Sequence, residues 1–518
     1  MVRVRLLVVA LLASVTACAP KSKPIVQTAP TPAVRLAAAD SQLRAGCLEC
    51  LQQAFDQYAA LTTDQTVGDI ARESAARAAL LIAVRENELG LIDSGRIQQA
   101  RDRAVSPSST LSLFIEVADA MSAKPRGTSR SAYSDAENRA SLVISRNQAR
   151  WVPALRTLMP GDLVADYLWL GLACGPFGFE FPDRSDRTAI LGISLDTPLV
   201  RFKEASGCAI QRPALMALVD AEPRFVETQY LLGLSVFATQ LTAGIDEAET
   251  RFQAAYAWRS DWPALTMAIA NLALTAEDFD RAAQFYGRTL TLVPDHPEAL
   301  VSSMRAFTYA GRHAEAIASA DRLLANNRNP GDARYWRALN EEQMEQHDLA
   351  WDDIEQAARA LVSPDVPKLA GIIAINRRQL DVARQRLEAS LTARPTDCET
   401  AFYLQAVLTQ QAQWGESSRV AANAAACFDA DLARLSAEID SLRTAEMRPD
   451  QRDRQIAKRQ QQIRSETRMR AASWFDAAAA NYNLSRKDEA RLFAEKLLDD
   501  EQYRDRASEL LARLSFHP

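Results

Sequence analysis

Small apolar residues recur at a regular interval through the second half of this 518-residue chain. Successive members of the series are spaced by 34, 34, 33 and 35 residues, and they are Ala270, Met304, Ala338, Gly371 and Ala406. Twelve positions after each comes a second mostly small residue: Ala282, Ala316, Ala350, Ala383 and Ser418. A period of this length is typical of stacked helical repeats. Small residues at two fixed points allow a pair of antiparallel helices to approach closely, so the pattern predicts an all-α chain.

This pattern resembles the tetratricopeptide repeat family. The segment 275–297, TAEDFDRAAQFYGRTLTLVPDHP, carries the resemblance best, and Trp474 stands at the usual aromatic position of a C-terminal copy. The resemblance covers about 225–429 and 471–512. It implies an α-solenoid, in which antiparallel helix pairs stack into a superhelix. Members of this family bind other proteins or peptides. A generic array of helical hairpins is the alternative interpretation.

The resemblance also implies where a partner would bind. In a superhelix of this kind the first helix of each repeat lines the concave face. Tyrosine and arginine are enriched at binding hot spots. Carried over by repeat position, the candidate groove residues are Asn271, Arg305, Tyr335, Lys368, Tyr403 and Tyr482. Family members that clamp a terminal carboxylate pair lysine with asparagine; Asn271 fits that pattern, whereas Met267 and Ser302 do not.

The N-terminal half is helical but less regular. Residues 36–130 are predicted to form tetratricopeptide-like helices, and residues 131–225 an irregular helical module. Within that module the loop 174–208 contains alternating phenylalanines at positions 177, 179 and 181, which favours a short extended segment. The loop is interpreted either as a binding element or as a set of phenylalanines that fill the nearest core.

Residues 430–470 interrupt the repeats of 226–429 before a C-terminal repeat and capping helix at 471–518. They are predicted to form a long, exposed, basic helical hairpin. Residues 443–470 contain nine Lys or Arg and four acidic residues, a local charge of +5. Two interpretations stay open, a solvated face or a surface that docks to an acidic partner or to anionic headgroups.

Charge and catalytic motifs exclude several function classes. Sixty Lys and Arg against 66 Asp and Glu give a net charge of −6, which does not suit a dedicated nucleic-acid binder. The sequence contains no phosphate-binding, dinucleotide-binding, zinc-protease, hydrolase or EF-hand motif. The four histidines lack cysteines or carboxylates at metal-ligand spacing. The chain is therefore predicted to be non-catalytic, with no cofactor, no metal, no nucleic-acid partner and no small-molecule substrate.

The N-terminus predicts export. Residues 1–17 read as a signal peptide, with Arg3 and Arg5 before a short apolar core that is too short to span a bilayer. Residues 15–18, VTAC, resemble a bacterial lipobox, which implies cleavage before Cys18 and acylation of that residue. Residues 18–35 then form a proline-rich tether. Because Ala19 follows the cysteine, family analogy favours the outer membrane, with the body facing the periplasm. A plain secretory signal is the alternative.

Six cysteines remain once the acylated one is set aside, and they suit an oxidising compartment. Six cysteines allow 15 pairings. Proximity suggests Cys47 with Cys50, Cys174 with Cys208, and Cys398 with Cys427. Given the repeat resemblance, the last pair opens the first helix and closes the second helix of one hairpin, where antiparallel ends are neighbours. The first pair is interpreted as a structural disulfide, with a redox pair or half of a metal site as alternatives.

These observations together predict a lipid-anchored tetratricopeptide lipoprotein of the cell envelope. Its expected function is to act as a scaffold for protein–protein interactions in an assembly or secretion machine. Its expected partners are envelope proteins or peptides, with the membrane contacted through the lipid anchor. The alternative is a lipoprotein that binds a ligand or glycan and partners an outer-membrane transporter.

Overall fold

The computed structural model describes residues 30–88, 94–104, 108–122, 130–159, 161–173, 212–221, 223, 226–240 and 244–516. The signal peptide, Cys18, most of the tether, and the loop 174–208 with Cys174, Cys208 and its phenylalanines lie outside these ranges. All regular secondary structure within the described ranges is helical. The predicted all-α class is therefore confirmed, and the described helices pack mainly against their neighbours in the chain.

Seven described helices precede the loop 174–208. The Thr31 hydroxyl caps the first of them by accepting a hydrogen bond from the Val34 N–H, and a proline follows at its first position, as is common at helix starts. Their bounds are α1 (Pro32–Ala45), α2 (Leu48–Ala59), α3 (Gly68–Glu88), α4 (Arg96–Arg103), α5 (Ser109–Ser122), α6 (Arg130–Arg156) and α7 (Leu163–Ala173).

Twelve further described helices form the central array. Each second helix packs against its own first helix and against the first helix of the following pair. Their bounds are α8 (Arg212–Ala221), α9 (Val226–Gln240), α10 (Ile245–Tyr256), α11 (Pro263–Thr275), α12 (Phe279–Leu292), α13 (Pro297–Tyr309), α14 (His313–Ala325), α15 (Pro330–Gln343), α16 (His347–Ala360), α17 (Asp365–Asn376), α18 (Leu380–Ala393) and α19 (Cys398–Gln410).

Most of the regularly spaced residues of the repeat are buried. Ala270, Met304 and Ala338 on first helices are fully buried, as are most of their partners twelve positions later. At Gly371 an added Cβ would lie 2.6 Å from the Leu387 Cγ and 3.4 Å from the Ala383 carbonyl oxygen. Glycine at this position therefore allows α17 and α18 to pack at their observed distance.

Six turns inside helix pairs, all between residues 275 and 487, share the same backbone geometry. One residue of each turn adopts a left-handed backbone conformation, and its amide then closes a short turn that ends the first helix. Only one of these turn residues is a glycine. They are Glu277, Gly311, Glu345, Arg378, Ala412 and Ser485, with φ of 57°, 69°, 60°, 59°, 55° and 60°.

The last part of the chain contains two long helices. They are α20 (Trp414–Thr444) and α21 (Pro449–Asn483), and they pack along each other. The predicted hairpin limits 430 and 470 fall inside these helices, so the hairpin is a continuation of the last repeat helices on either side of it. The chain then continues through α22 (Lys487–Glu495) and α23 (Arg504–Phe516).

Two disulfides are present among the described cysteines. Cys47 and Cys50 are joined at the start of α2, and Cys398 at the start of α19 is joined to Cys427 in α20. Both pairs are those suggested by sequence proximity. In the described ranges, no helix has both the length and the apolar content needed to cross a bilayer.

Candidate functional site

The first helices of successive repeats lie side by side and together form what we call the inner face. Direct contacts join α13 to α15, α15 to α17, α17 to α19 and α19 to α21. The sequence-predicted groove residues all lie on these helices or on α11. They are partly exposed, and they are Asn271, Arg305, Tyr335, Lys368, Tyr403 and Tyr482.

Aromatic rings cluster at one end of this face. The Tyr309 ring lies 4.8 Å from that of Phe279 and 6.4 Å from that of Trp336, while the Arg305 guanidinium lies 5.8 Å from the Tyr309 centroid. Tyr335 lies against Trp336. Tyr309 is 55% exposed, and the sequence prediction missed it. Its position four residues after Arg305 on one helix was the available signal, because residues at that spacing share a helix face.

Lys368 is engaged within the chain. Its ammonium donates to both carboxylate oxygens of Asp397 at 3.2 Å and to Glu399 Oε2 at 2.7 Å. Burial alone would lower the pKa of Lys368, but the two carboxylates keep that pKa above its usual value. These ion pairs join α17 to α19, so Lys368 contributes to the spacing of neighbouring repeats.

The remaining groove candidates differ in their hydrogen bonds and in their burial. The Asn271 Oδ1 accepts a hydrogen bond of 2.6 Å from the Tyr286 hydroxyl. Burial, together with the nearby carboxylates of Glu399 and Glu342, raises the pKa of Tyr403 to about 12, so its hydroxyl stays protonated. Tyr482 is half-buried near the end of α21. The inner face therefore presents one guanidinium, that of Arg305, and two phenolic rings, those of Tyr309 and Tyr403.

A buried carboxyl group lies close to this face on α15. Glu341 is 6% exposed, its Oε1 lies 3.8 Å from the Arg337 Nε, and its Oε2 accepts no hydrogen bond from the described residues. Arg337 is shared with Asp353, which also binds Arg334 at 3.0 Å. Burial and the negative charge of Asp353 raise the pKa of Glu341 to about 7.

Glu341 is expected to make folding stability depend on pH near neutrality. In the folded state Glu341 keeps its proton up to about pH 7, whereas in the unfolded state it loses the proton at its ordinary pKa of 4.5. The free energy of unfolding should therefore fall as pH rises from 4.5 to 7. Glu341→Gln should remove this slope and stabilise the protein above pH 7 by about 3 kcal/mol. Urea denaturation at several pH values measures this. The exposed Glu345→Gln serves as the control, and an equal slope in the Glu341 variant and the parent protein would contradict the prediction.

The basic hairpin contacts acidic residues at the beginning of the central array. Arg448, at the turn between α20 and α21, pairs with Asp246 at 2.9 Å and with Glu249 on α10. Glu277 in the turn between α11 and α12 accepts from Lys458 at 2.8 Å and from Arg459 at 3.1 Å. Burial would raise the pKa of Glu277, but Lys458 and Arg459 hold it below its usual value.

The metal-site alternative for Cys47 and Cys50 gains no further ligands in the described part of the chain. No group of three or more His, Cys, Asp or Glu side chains is arranged there to hold a metal ion. The Cys47–Cys50 disulfide lies at the N-terminus of α2, where the Cys47 sulfur accepts from the Cys50 amide.

Residues 273–341 match the family model of the tetratricopeptide repeat. The matched segment runs from the end of α11 to α15, so this tetratricopeptide segment includes Arg305, Tyr309 and Tyr335. Repeats of this family generally act as non-catalytic scaffolds that bind proteins or peptides. No curated protein matches the sequence.

Several solved structures are similar in part. YrrB, described as a tetratricopeptide protein with an unusual peptide-binding site, is 15% identical, covering 50% of this chain and 97% of its own, at a TM-score of 0.25. A tetratricopeptide repeat protein from Parabacteroides merdae is 15% identical, and the match covers 56% of this chain and 99% of that one, at a TM-score of 0.33. The APC/C hetero-tetramer Cut9–Hcn1 is 10% identical, and the match covers 93% of this chain and 84% of that one, at a TM-score of 0.36. Similarity at this level does not identify a partner.

Proposed function

We propose that this protein is a scaffold that binds an extended segment of a partner protein on the inner face of its repeats. The observation that carries the proposal is the cluster of Arg305, Tyr309 and Tyr335 on two consecutive first helices inside the tetratricopeptide segment. Tyrosine and arginine combine contact area with directed hydrogen bonds, and both are typical of binding hot spots.

We further propose that the scaffold is lipid-anchored through Cys18 at the outer membrane and faces the periplasm, where it assembles envelope or secretion components. The support is the lipobox-like sequence at residues 15–18 and the proline-rich tether that follows. Multiple acyl chains give firm anchoring because each buried methylene contributes about 0.8 kcal/mol. Incorporation of labelled fatty acid that is lost in Cys18→Ala, with release of the protein from membranes, is the expected result.

The partner-binding proposal predicts a defined loss on changing the inner face. In its native host, intact-cell crosslinking, affinity capture and mass spectrometry should recover a set of envelope proteins with the parent protein. Arg305→Ala/Tyr309→Ala should reduce that recovery by about tenfold or more, since each hot-spot residue contributes 1 kcal/mol or more.

The matched control changes exposed side chains on second helices. Leu349 on α16 and Leu492 on α22 are 56% and 55% exposed, so Leu349→Ala/Leu492→Ala removes comparable exposed apolar area away from the inner face. Recovery should be unchanged with this control. Equal recovery with the inner-face variant and the control, when both are folded, would reject the inner face as the binding site.

A further inference from the structure

We propose that the tip of the α20–α21 hairpin is a releasable electrostatic clasp that fixes the curvature of the repeat array. The contacts it makes join parts of the chain that are far apart in sequence. Arg448 and Glu249 are separated by 199 residues, and Arg459 and Glu277 by 182. Five helix pairs or their parts lie between the two ends. The hairpin therefore connects the last repeats to the first ones directly.

The clasp consists of charged side chains. Arg448 pairs with Asp246 and Glu249, Arg454 with Asp278 at 3.5 Å, and both Lys458 and Arg459 with Glu277. Leu435 and Ile439 are buried along α20, whereas no apolar side chain of residues 440–468 is fully buried. The base of the hairpin is different, because Phe428 and Met469 join the apolar cluster around Cys398. The base is thus anchored by apolar packing, and the tip by charge.

A contact of this kind is easily released. The clasp side chains remain partly exposed, with Arg448 at 38%, Arg454 at 41% and Lys458 at 40%. Ion pairs between partly exposed groups are weak individually, and dissolved salt screens them. The basic tip and the acidic ends of α10 and α11 attract each other as a network. This attraction closes the clasp at low ionic strength and weakens when dissolved salt screens the charges.

Release would change the inner face because repeats of this type contact only their neighbours. The shape of such an array is the sum of small rotations between successive repeats, so a fixed distance between its ends limits its curvature. A direct connection exists as well. Lys458 lies 4.6 Å from the Phe279 centroid, and that ring contacts Tyr309 beside Arg305. The clasp therefore touches the same aromatic cluster that the proposed function assigns to partner binding.

The test measures the clasp directly and needs no partner. Two fluorescent non-natural amino acids at positions 250 and 446, both exposed, report by energy transfer on the distance between α10 and the hairpin tip. A second pair, at 419 on α20 and at 446 in the turn that follows this helix, reports on the hairpin itself. Raising salt from about 0.05 M to 1 M should lengthen only the 250–446 distance, because the Debye length falls to about 3 Å.

Substitutions separate the clasp from general charge effects. Arg448→Ala and Lys458→Ala/Arg459→Ala should each raise the open fraction about tenfold at low salt. Arg443→Ala, which removes the same charge from a pair with Asp440 on its own helix, should leave that fraction unchanged. Asp246→Ala should open the parent protein but add little once Arg448 is alanine. If neither salt nor these substitutions change the 250–446 distance, the clasp proposal is wrong. That result would leave the partner-binding proposal intact.

Discussion

Glu227→Gln is expected to lower the free energy of unfolding by about 3–5 kcal/mol, the largest effect we expect from a single substitution here. Glu227 on α9 and Arg259 after α10 are each 1% exposed, and the Arg259 Nη1 donates to the Glu227 Oε1 at 3.1 Å. The guanidinium also lies 4.5 Å from the Trp262 ring centroid. Neutralising the carboxylate removes the negative charge that lies 3.1 Å from the buried Arg259 guanidinium.

A double substitution distinguishes this cause from a simple loss of packing. Glu227→Met/Arg259→Met replaces both charges by apolar side chains of similar volume, and such replacements of buried pairs are often neutral or stabilising. The double variant is therefore expected to be more stable than Glu227→Gln alone. The exposed pair Arg443 and Asp440 provides the control, since its removal should cost less than about 1 kcal/mol. Urea denaturation followed by circular dichroism measures all three, and a double variant less stable than the single one would contradict the prediction.

Removing the Cys398–Cys427 disulfide should produce the second large effect. The bond closes a segment of 29 residues between α19 and α20. In the chain-entropy model a closed loop of about 30 residues contributes about 3–4 kcal/mol, because the cross-link restricts the unfolded chain. Cys398→Ala/Cys427→Ala should lower the free energy of unfolding by that amount under non-reducing conditions.

The other described disulfide is the matched control for this experiment. Cys47 and Cys50 are three positions apart in the sequence, and the same model gives a contribution of about 2 kcal/mol for such a short loop. The loss on Cys47→Ala/Cys50→Ala should therefore be about half as large. Equal losses from the two pairs would show that loop closure is not the main source of the stabilisation.

Much of the architecture could be predicted because it depends on local spacing. Small residues about 34 positions apart, with partners twelve positions later, specify where two helices touch, and the structure has helix pairs with those contacts buried. The pairing of Cys398 with Cys427 followed from the same antiparallel geometry. For the inner face, the period correctly indicates that the candidates lie on first helices, since a fixed register along a helix decides which side chains share a face.

The period could not show which of those side chains are engaged with other parts of the chain. Lys368 occupies a groove position in the sequence, but its ammonium is held by Asp397 and Glu399 from the next repeat. Tyr309 was missed because exposure depends on the neighbouring repeats and not on residue type alone.

The sequence by itself determined the helical repeats, their register, the disulfide-compatible helix ends and the basic character of the hairpin. Only the tertiary structure decided what the hairpin contacts. Residues 246–278 and 448–459 are about 180–200 positions apart, and no periodic pattern relates them. Their meeting depends on small rotations accumulated over the repeats between them. A regular period fixes contacts between neighbouring helices, whereas contacts between the ends of the array depend on the curvature of all the repeats together.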